Sequence, residues 1–229
     1  MEYLMSYAQV FGIGNAAQEA LTIIAAHNIA PCRHIASPRD TREPSLFRDD
    51  CRMAIVINLD GEPSFAGQIL AAAHERGILA TAITGTRDDL HPAADTRFVA
   101  ADAAQAATTV IEMANITNRD GRINIDSQDL FNTLTQGKEA VLATGGASGD
   151  GRLVTALETA INRDEEFIKT SHVLLVAICH TPSSKLMASE LMGVNENLGE
   201  WADDKKLILG MLTSSEMSDE VRVTIVAVK

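Results

Sequence analysis

Three short apolar runs, Ala8 to Ile13, Met53 to Leu59 and Ile78 to Ile83, constrain this chain most. Each is a predominantly apolar stretch of strand length, with Gln9, Asn58 and Thr81 as the polar exceptions, the pattern of a strand covered on both faces. What stands between them is helical. Gly14-Asn15 is followed by Ala16, Ala17, Ala20, Leu21 and Ile24 at helix spacing. Asp60-Gly61-Glu62-Pro63 breaks the second run, and Ala66 to Glu75 reads as a helix that stops at Gly77. Strand, helix and strand in alternation predict a parallel sheet. Residues 31–50, rich in Pro, Arg and Asp, read as a loop with little regular structure.

Further along, His91-Pro92 marks a loop, Phe98 to Asn115 reads as a long helix, and Asn118 to Gly121 as a turn. Arg122-Ile-Asn-Ile-Asp-Ser-Gln-Asp129 sets Asn124, Asp126 and Asp129 in an N-x-D-x-x-D pattern before a helical run from Ser127 to about Gly137. Two uses fit such carboxylates. They cap a helix by accepting from its unpaired first-turn N–H groups, or they orient a water for attack on a phosphate. A second unit follows. Glu139 to Thr144 is a predicted strand, Gly145 to Gly151 a glycine-rich loop, and Leu153, Val154, Leu157 and Ile161 mark a helix. Val173 to Ile178, Lys206 to Leu212 and Arg222 to Val228 are predicted strands, with a helix over Ser184 to Asn195. The expected division is an α/β domain over 1–126, a connecting helix over 127–138, and a smaller α+β domain over 139–229.

Composition excludes several function classes. The 229 residues carry a net charge of −12, which disfavours nucleic acid and anionic lipid as partners. No apolar window is long enough for a membrane span. The opening MEYLMSYAQVFGIG lacks the basic region and small-residue cleavage pattern of a signal peptide. Cys32, Cys51 and Cys179 form no C-x-x-C, so a reduced, cytoplasmic setting is expected. The six histidines form no H-x-x-x-H pair, so no metal site is predicted. Cys51 is weighed as a nucleophile and set aside as a small buried thiol, because no base is paired with it. The Gly145 to Gly151 loop lacks a following Lys and reads as a strand-to-helix turn rather than a phosphate cradle. Asp60-Gly61-Glu62 follows a buried strand, where such sheets place ligand, but its carboxylates repel phosphate.

The order of these pieces resembles the tubulin/FtsZ family of cytoskeletal GTPases. The likeness is carried by Asn124, Asp126 and Asp129 before the central helix, and by Gly146-Ala-Ser-Gly-Asp-Gly-Arg152 before the next. It is carried further by Leu212-Thr-Ser-Ser-Glu-Met-Ser-Asp219-Glu-Val-Arg222-Val-Thr-Ile-Val-Ala227. Gly12-Ile-Gly14-Asn15-Ala16 resembles a shortened form of the family's first phosphate loop. The glycine signature G-G-G-T-G-[TS]-G is absent, and Asn58 to Gln68 stands in its place with only Gly61 and Gly67. Backbone N–H groups of such loops bind phosphate, and losing several charge-assisted bonds at about 1.5–3 kcal/mol each removes most triphosphate affinity.

The resemblance implies a parallel-sheet N-terminal domain, a central helix and a smaller C-terminal α+β domain. It implies an FtsZ/tubulin-like cytoskeletal or cell-division protein that acts by self-association or by binding another FtsZ-like subunit, with GTP binding and hydrolysis weak or lost. The alternative is a compact GTPase that hydrolyses GTP at a subunit interface. GTP or GDP with magnesium would then sit at Gly12, Gly14 and Asn15, with Asp102 toward the guanine, while Asn124, Asp126 and Asp129 act across the interface. A third reading treats residues 53–110 as a sugar-phosphate-binding α/β unit of unrelated origin.

Overall fold

A computed structural model of the chain describes residues 4–43, 45–86, 91–193 and 204–229. Two compact units are present, Met1–Ala114 and Asn115–Lys229. No helix among the described residues is long and apolar enough to cross a membrane.

The first unit is built on strands β1 (Ala8–Ile13), β2 (Cys32–Ile35), β3 (Met53–Asn58), β4 (Leu79–Thr84) and β5 (Thr96–Val99). They lie in the order β2-β1-β3-β4-β5, every neighbour parallel. β1 and β4 are buried throughout, in keeping with their predominantly apolar runs, and this burial takes in the polar Gln9, Thr81 and Thr84. Helices α1 (Asn15–Ala26) and α2 (Pro63–Glu75) make the crossovers. α1 turns Ala17, Ala20, Leu21 and Ile24 inward, and α2 turns Ile69, Leu70 and Ala73 inward. One core of the unit gathers Phe11, Ile35, Phe47, Val56, Leu70 and Ala80. A third helix, α3 (Ala103–Asn118), follows β5.

The segment 31–50 corrects the expectation of a plain loop. Cys32–Ile35 is an edge strand paired with β1, and Asp40–Arg42 form a short 3₁₀ turn. Polar residues sit on this strand because an edge leaves part of its surface in water. The expected helix from Phe98 is also shifted. Phe98 belongs to β5, and α3 starts five residues later at Ala103.

The second unit has strands β6 (Gly121–Ile123), β7 (Glu139–Ala147), β8 (Val173–His180), β9 (Lys206–Thr213) and β10 (Val221–Val228), in the order β7-β10-β8-β9-β6. β10 runs antiparallel to both β7 and β8, β9 is parallel to β8, and β6 is antiparallel to β9. Helices α4 (Ser127–Leu134), α5 (Arg152–Ile161) and α6 (Glu165–Thr170) complete the unit. α5 packs on β7 and β10, and Leu153, Leu157, Phe167, Val176, Val223 and Ile225 form the core between. α4 ends at Leu134, short of the expected Gly137. The turn read at 118–121 is instead the end of α3 and the start of β6. Of the helix expected over Ser184 to Asn195, residues 188–193 are helical, and its last two residues lie outside the described ones.

Candidate functional site

In a parallel sheet of order 2-1-3-4-5, ligand is expected beyond the carboxyl ends of β1 and β3, where the strand order reverses. At that point β1 passes through Gly14 into α1. Gly14 has φ +90° and is the N-cap residue, a conformation that side-chain-bearing residues rarely adopt. A Cβ at Gly14 would stand 2.8 Å from the Gly61 nitrogen and would collide with the Asp60 carboxylate. Gly12 is needed for a different reason. A Cβ there would come within 2.7 Å of the Leu21 side chain, so it lets α1 lie close on its own strand. Asn15 is exposed in the first turn of α1.

α1 has no acid in its first turn and no cap from its own N-cap residue. Its cap comes from the other side of the switch point. Ala16 N–H donates to both carboxylate oxygens of Asp60, at 3.2 Å each. Asp60 is exposed and has no ion-pair partner among the described residues. Its turn is held in turn by Asn58, whose Oδ1 accepts from Gly61 N–H at 2.9 Å. Glu62 caps α2 through Ser64 N–H, and Pro63 opens that helix. Gln68, at the end of this segment, accepts from the buried Thr41 hydroxyl at 2.6 Å. So Asn58 to Gln68 is a strand end, a capping turn and a helix start.

Beside this turn the described residues leave a cavity of about 180 Å³. Val56, Ala66, Leu70 and Ala82 line it, with Asn58 and Thr84 among its polar neighbours. Drug-sized and cofactor ligands occupy pockets of about 300–1,000 Å³. At the other end of β3, Cys51 is buried, and desolvation raises its thiol to about 11, which keeps it a thiol at neutral pH. The same cause raises Cys32 to about 11.

Of the remaining predicted residues, Asp102, Asp126 and Asp129 cap helices, and Asn124 does not. Asp102 accepts from Gln105 N–H at 2.8 Å at the head of α3, and the Gln105 side chain answers by accepting from Ala101 N–H. Asp126 and Asp129 form a capping box. Asp129 N–H donates to Asp126 Oδ1 at 2.9 Å, and Asp126 N–H donates to Asp129 Oδ2 at 3.1 Å. Asn124 accepts from Gly121 N–H at 2.8 Å, across the bend between β6 and α4. Asp126 and Asp129 are thus bonded to each other at the start of α4, while the Asn124 side chain turns back to β6. Asp102 belongs to a separate helix start.

The glycine-rich loop carries a network that the sequence did not disclose. β7 runs on to Ala147, so Gly145 and Gly146 are strand residues, and Gly151 is the left-handed N-cap of α5 with φ +69°. Gly149 N–H donates to Glu220 Oε2 at 3.0 Å. Arg152 donates to the same Oε2 at 2.9 Å and to Glu190 Oε1 at 2.9 Å. It also reaches the Lys185 carbonyl at 3.1 Å. The Arg152 side chain is only 11% exposed. Its hydrogen bond to Glu190 holds the guanidinium pKa above its ordinary value and the Glu190 carboxyl below its own. Glu220 is lowered first by Gly149 N–H and then by Arg152.

Comparison with known proteins bears on this arrangement. No protein-family model matches the chain. It is 33% identical over 113 residues to cell division protein FtsZ 1 of Rhizobium meliloti, and 29% identical over 124 residues to cell division protein FtsZ of Haemophilus influenzae. These matches cover 48% and 52% of the chain, but 19% and 30% of the relatives, so the match spans less than a third of either relative's length. The fold agrees over nearly the whole chain. An empty FtsZ dimer from M. jannaschii superposes with a TM-score of 0.76 at 15% identity, covering 98% of this chain and 88% of that one. A GTPγS-form protofilament of Bacillus thuringiensis serovar israelensis TubZ gives 0.68 at 11%, covering 99% and 87%.

Over about half its length the chain is similar in sequence to FtsZ, and it has the fold of the FtsZ and TubZ structures. Its α/β architecture with a mostly parallel sheet is the architecture the sequence predicts.

At the β1/β3 switch point the Ala16 N–H at the head of α1 is held by the Asp60 carboxylate, and the turn after β3 carries a second acid, Glu62, which caps α2.

Proposed function

We propose that this chain is a cytoskeletal or cell-division subunit that associates with itself or with another FtsZ-like subunit without needing GTP, and that it binds and hydrolyses GTP weakly or not at all. One observation carries the reading. The Asp60 carboxylate sits on Ala16 N–H at the head of α1, as an internal substitute for a bound anion. Helix N-termini bind phosphate through free N–H groups and a positive dipole end. A carboxylate already seated there competes with a free anion at the high effective concentration of an intramolecular group. Support for association comes from the relatives: the M. jannaschii FtsZ is a dimer, and the TubZ structure is a protofilament.

The test pairs GTP and GDP calorimetry in magnesium with light scattering on purified protein. The expected result is no saturable heat at micromolar nucleotide, together with scattering that rises with protein concentration equally with and without GTP. Micromolar affinity for GTP, or assembly that appears only with GTP, would overturn the proposal. Those outcomes favour the compact GTPase, a reading supported by Gly14 keeping the positive φ of a β1–α1 ligand turn and by the paired carboxylates Asp126 and Asp129 at the head of α4.

A further inference from the structure

The second unit holds a larger cavity, about 440 Å³, where β6 and the carboxyl ends of β8 and β9 meet the segment after β8. This volume falls within the about 300–1,000 Å³ range of small-molecule pockets. Its lining divides into two kinds of surface. Leu186, Leu191 and Met211 supply an apolar wall. Arg122 and Lys185 supply two positive charges against the single acid, Asp120. Thr213 and the half-buried His180 add hydrogen-bonding groups. The Thr181 carbonyl can only accept, so His180 donates to it through Nδ1 at 2.8 Å and keeps Nε2 for another partner.

The charge at this cavity opposes that of the molecule. The chain as a whole is −12, yet this wall is net positive. Arg122 and Lys185 have no ion-pair partner among the described residues, although Arg152 and Lys169 in the same unit are tied to glutamates. Apolar surface continues outward beside it, since Met187 is 63% and Met192 67% exposed. Two unneutralised cations beside an apolar wall of this volume match one ligand chemistry: a single anionic head on a hydrophobic body.

From this we infer that the cavity between β6, β8 and β9 is a binding site for an amphipathic carboxylate. The head lies between Arg122 and Lys185, and the body lies against Leu186, Leu191 and Met211. A dianionic phosphate without an apolar body leaves that wall wet, and an uncharged alcohol leaves the cations unmatched. The carboxylate belongs either to a free small acid or to the terminus of a peptide chain, and the two sources share this chemistry. The site lies within the second unit and does not depend on how the β1/β3 switch point behaves.

The experiment uses the full chain with methyl-¹³C methionine, because Met211 lines the cavity and Met187 and Met192 flank it. Octanoate is titrated against octanol and inorganic phosphate as controls. The expected result is a saturable shift of the Met211 methyl with octanoate, at least tenfold weaker with octanol and absent with phosphate. The double variant Arg122→Gln, Lys185→Gln should weaken octanoate at least tenfold while its circular dichroism matches the parent. Equal shifts from octanol, shifts from phosphate, or octanoate binding unchanged in a folded double variant would each overturn the inference. So would an unmoved Met211. A short Ala-Leu-Leu peptide with a free or amidated terminus separates the sources. Tighter binding of the free-terminus form than of octanoate assigns a peptide, and weaker binding assigns a free acid.

Discussion

At the β1–α1 turn, a carboxylate 44 residues away accepts from the helix's second N–H. At the β7–α5 loop, a carboxylate 71 residues away accepts from Gly149 N–H. Both are strand-to-helix turns with a glycine at positive φ, and in both the anion comes from the chain itself. The difference lies in the counter-charge. Glu220 is matched by Arg152, which also holds Glu190, so an outside anion would have to break an ion-pair network. Asp60 stands exposed without a cation among the described residues, and one substitution frees its N–H. The first turn is blocked by a single removable group, whereas the second is structurally committed.

The largest expected effect breaks the second turn. Arg152→Met should lower the unfolding free energy by about 1.5–3 kcal/mol, the worth of hydrogen bonds to charged groups. This is short of the about 3–5 kcal/mol for a fully buried pair, because the Glu220 side chain is 44% exposed. Urea unfolding of parent and variant measures it, and a loss under 0.5 kcal/mol would make the network ornamental.

The same network predicts a pH dependence. Glu190 and Glu220 have folded-state pKa values below their ordinary range. Their contribution is therefore complete above the unfolded glutamate value and fades as pH falls through the lower folded values. Acid unfolding of the parent should steepen below the ordinary glutamate range, and Arg152→Met should flatten that limb. Parallel acid limbs would contradict it.

At the first turn, Asp60→Ala should cost about 0.5–2 kcal/mol as a lost cap, and Asp60→Asn much less. The Ala variant should also bind sulfate or GTP more tightly than the parent, by calorimetry. No gain in anion binding from a folded Asp60→Ala would show that the carboxylate is not what keeps anions out.

Asp126 sharpens the comparison as a cap whose partner is only three residues away. Asp126→Ala should lose a similar 0.5–2 kcal/mol, with Asn restoring most of it. If Asn restores melting but leaves assembly disturbed, the side chain does more than cap.

This contrast of near and far explains what was legible in the sequence. Asp126 and Asp129 could be read as a cap because a capping box is written within four residues. Strands β1, β3 and β4 could be read because burial on both faces leaves a predominantly apolar run. Strand β2 could not, since Cys32-Arg-His-Ile35 is an edge strand with polar residues, and its pairing with β1 is tertiary. β5 holds Thr96 and Arg97 in buried positions, which no periodicity announces. Asp60 and Glu220 were invisible as anchors for the same reason: their partners are brought near only by folding. A clue to Asp60 did exist, as an Asp-Gly pair directly after a buried parallel strand, the place where ligand is expected.

The position of β10 in the second unit has a consequence for how this chain comes into being. It lies between β7 and β8, antiparallel to both, so the two are joined only when residues 221–228 arrive, and until then β8 is paired on its β9 side alone. During synthesis at about 5–20 residues per second, the first unit can settle while the second still waits. Until then β7 and β8 present unsatisfied strand edges to any passing chain. A ribosome stalled before Val221 should therefore release a product whose first 114 residues resist protease and whose remainder is digested or clumps with its own kind.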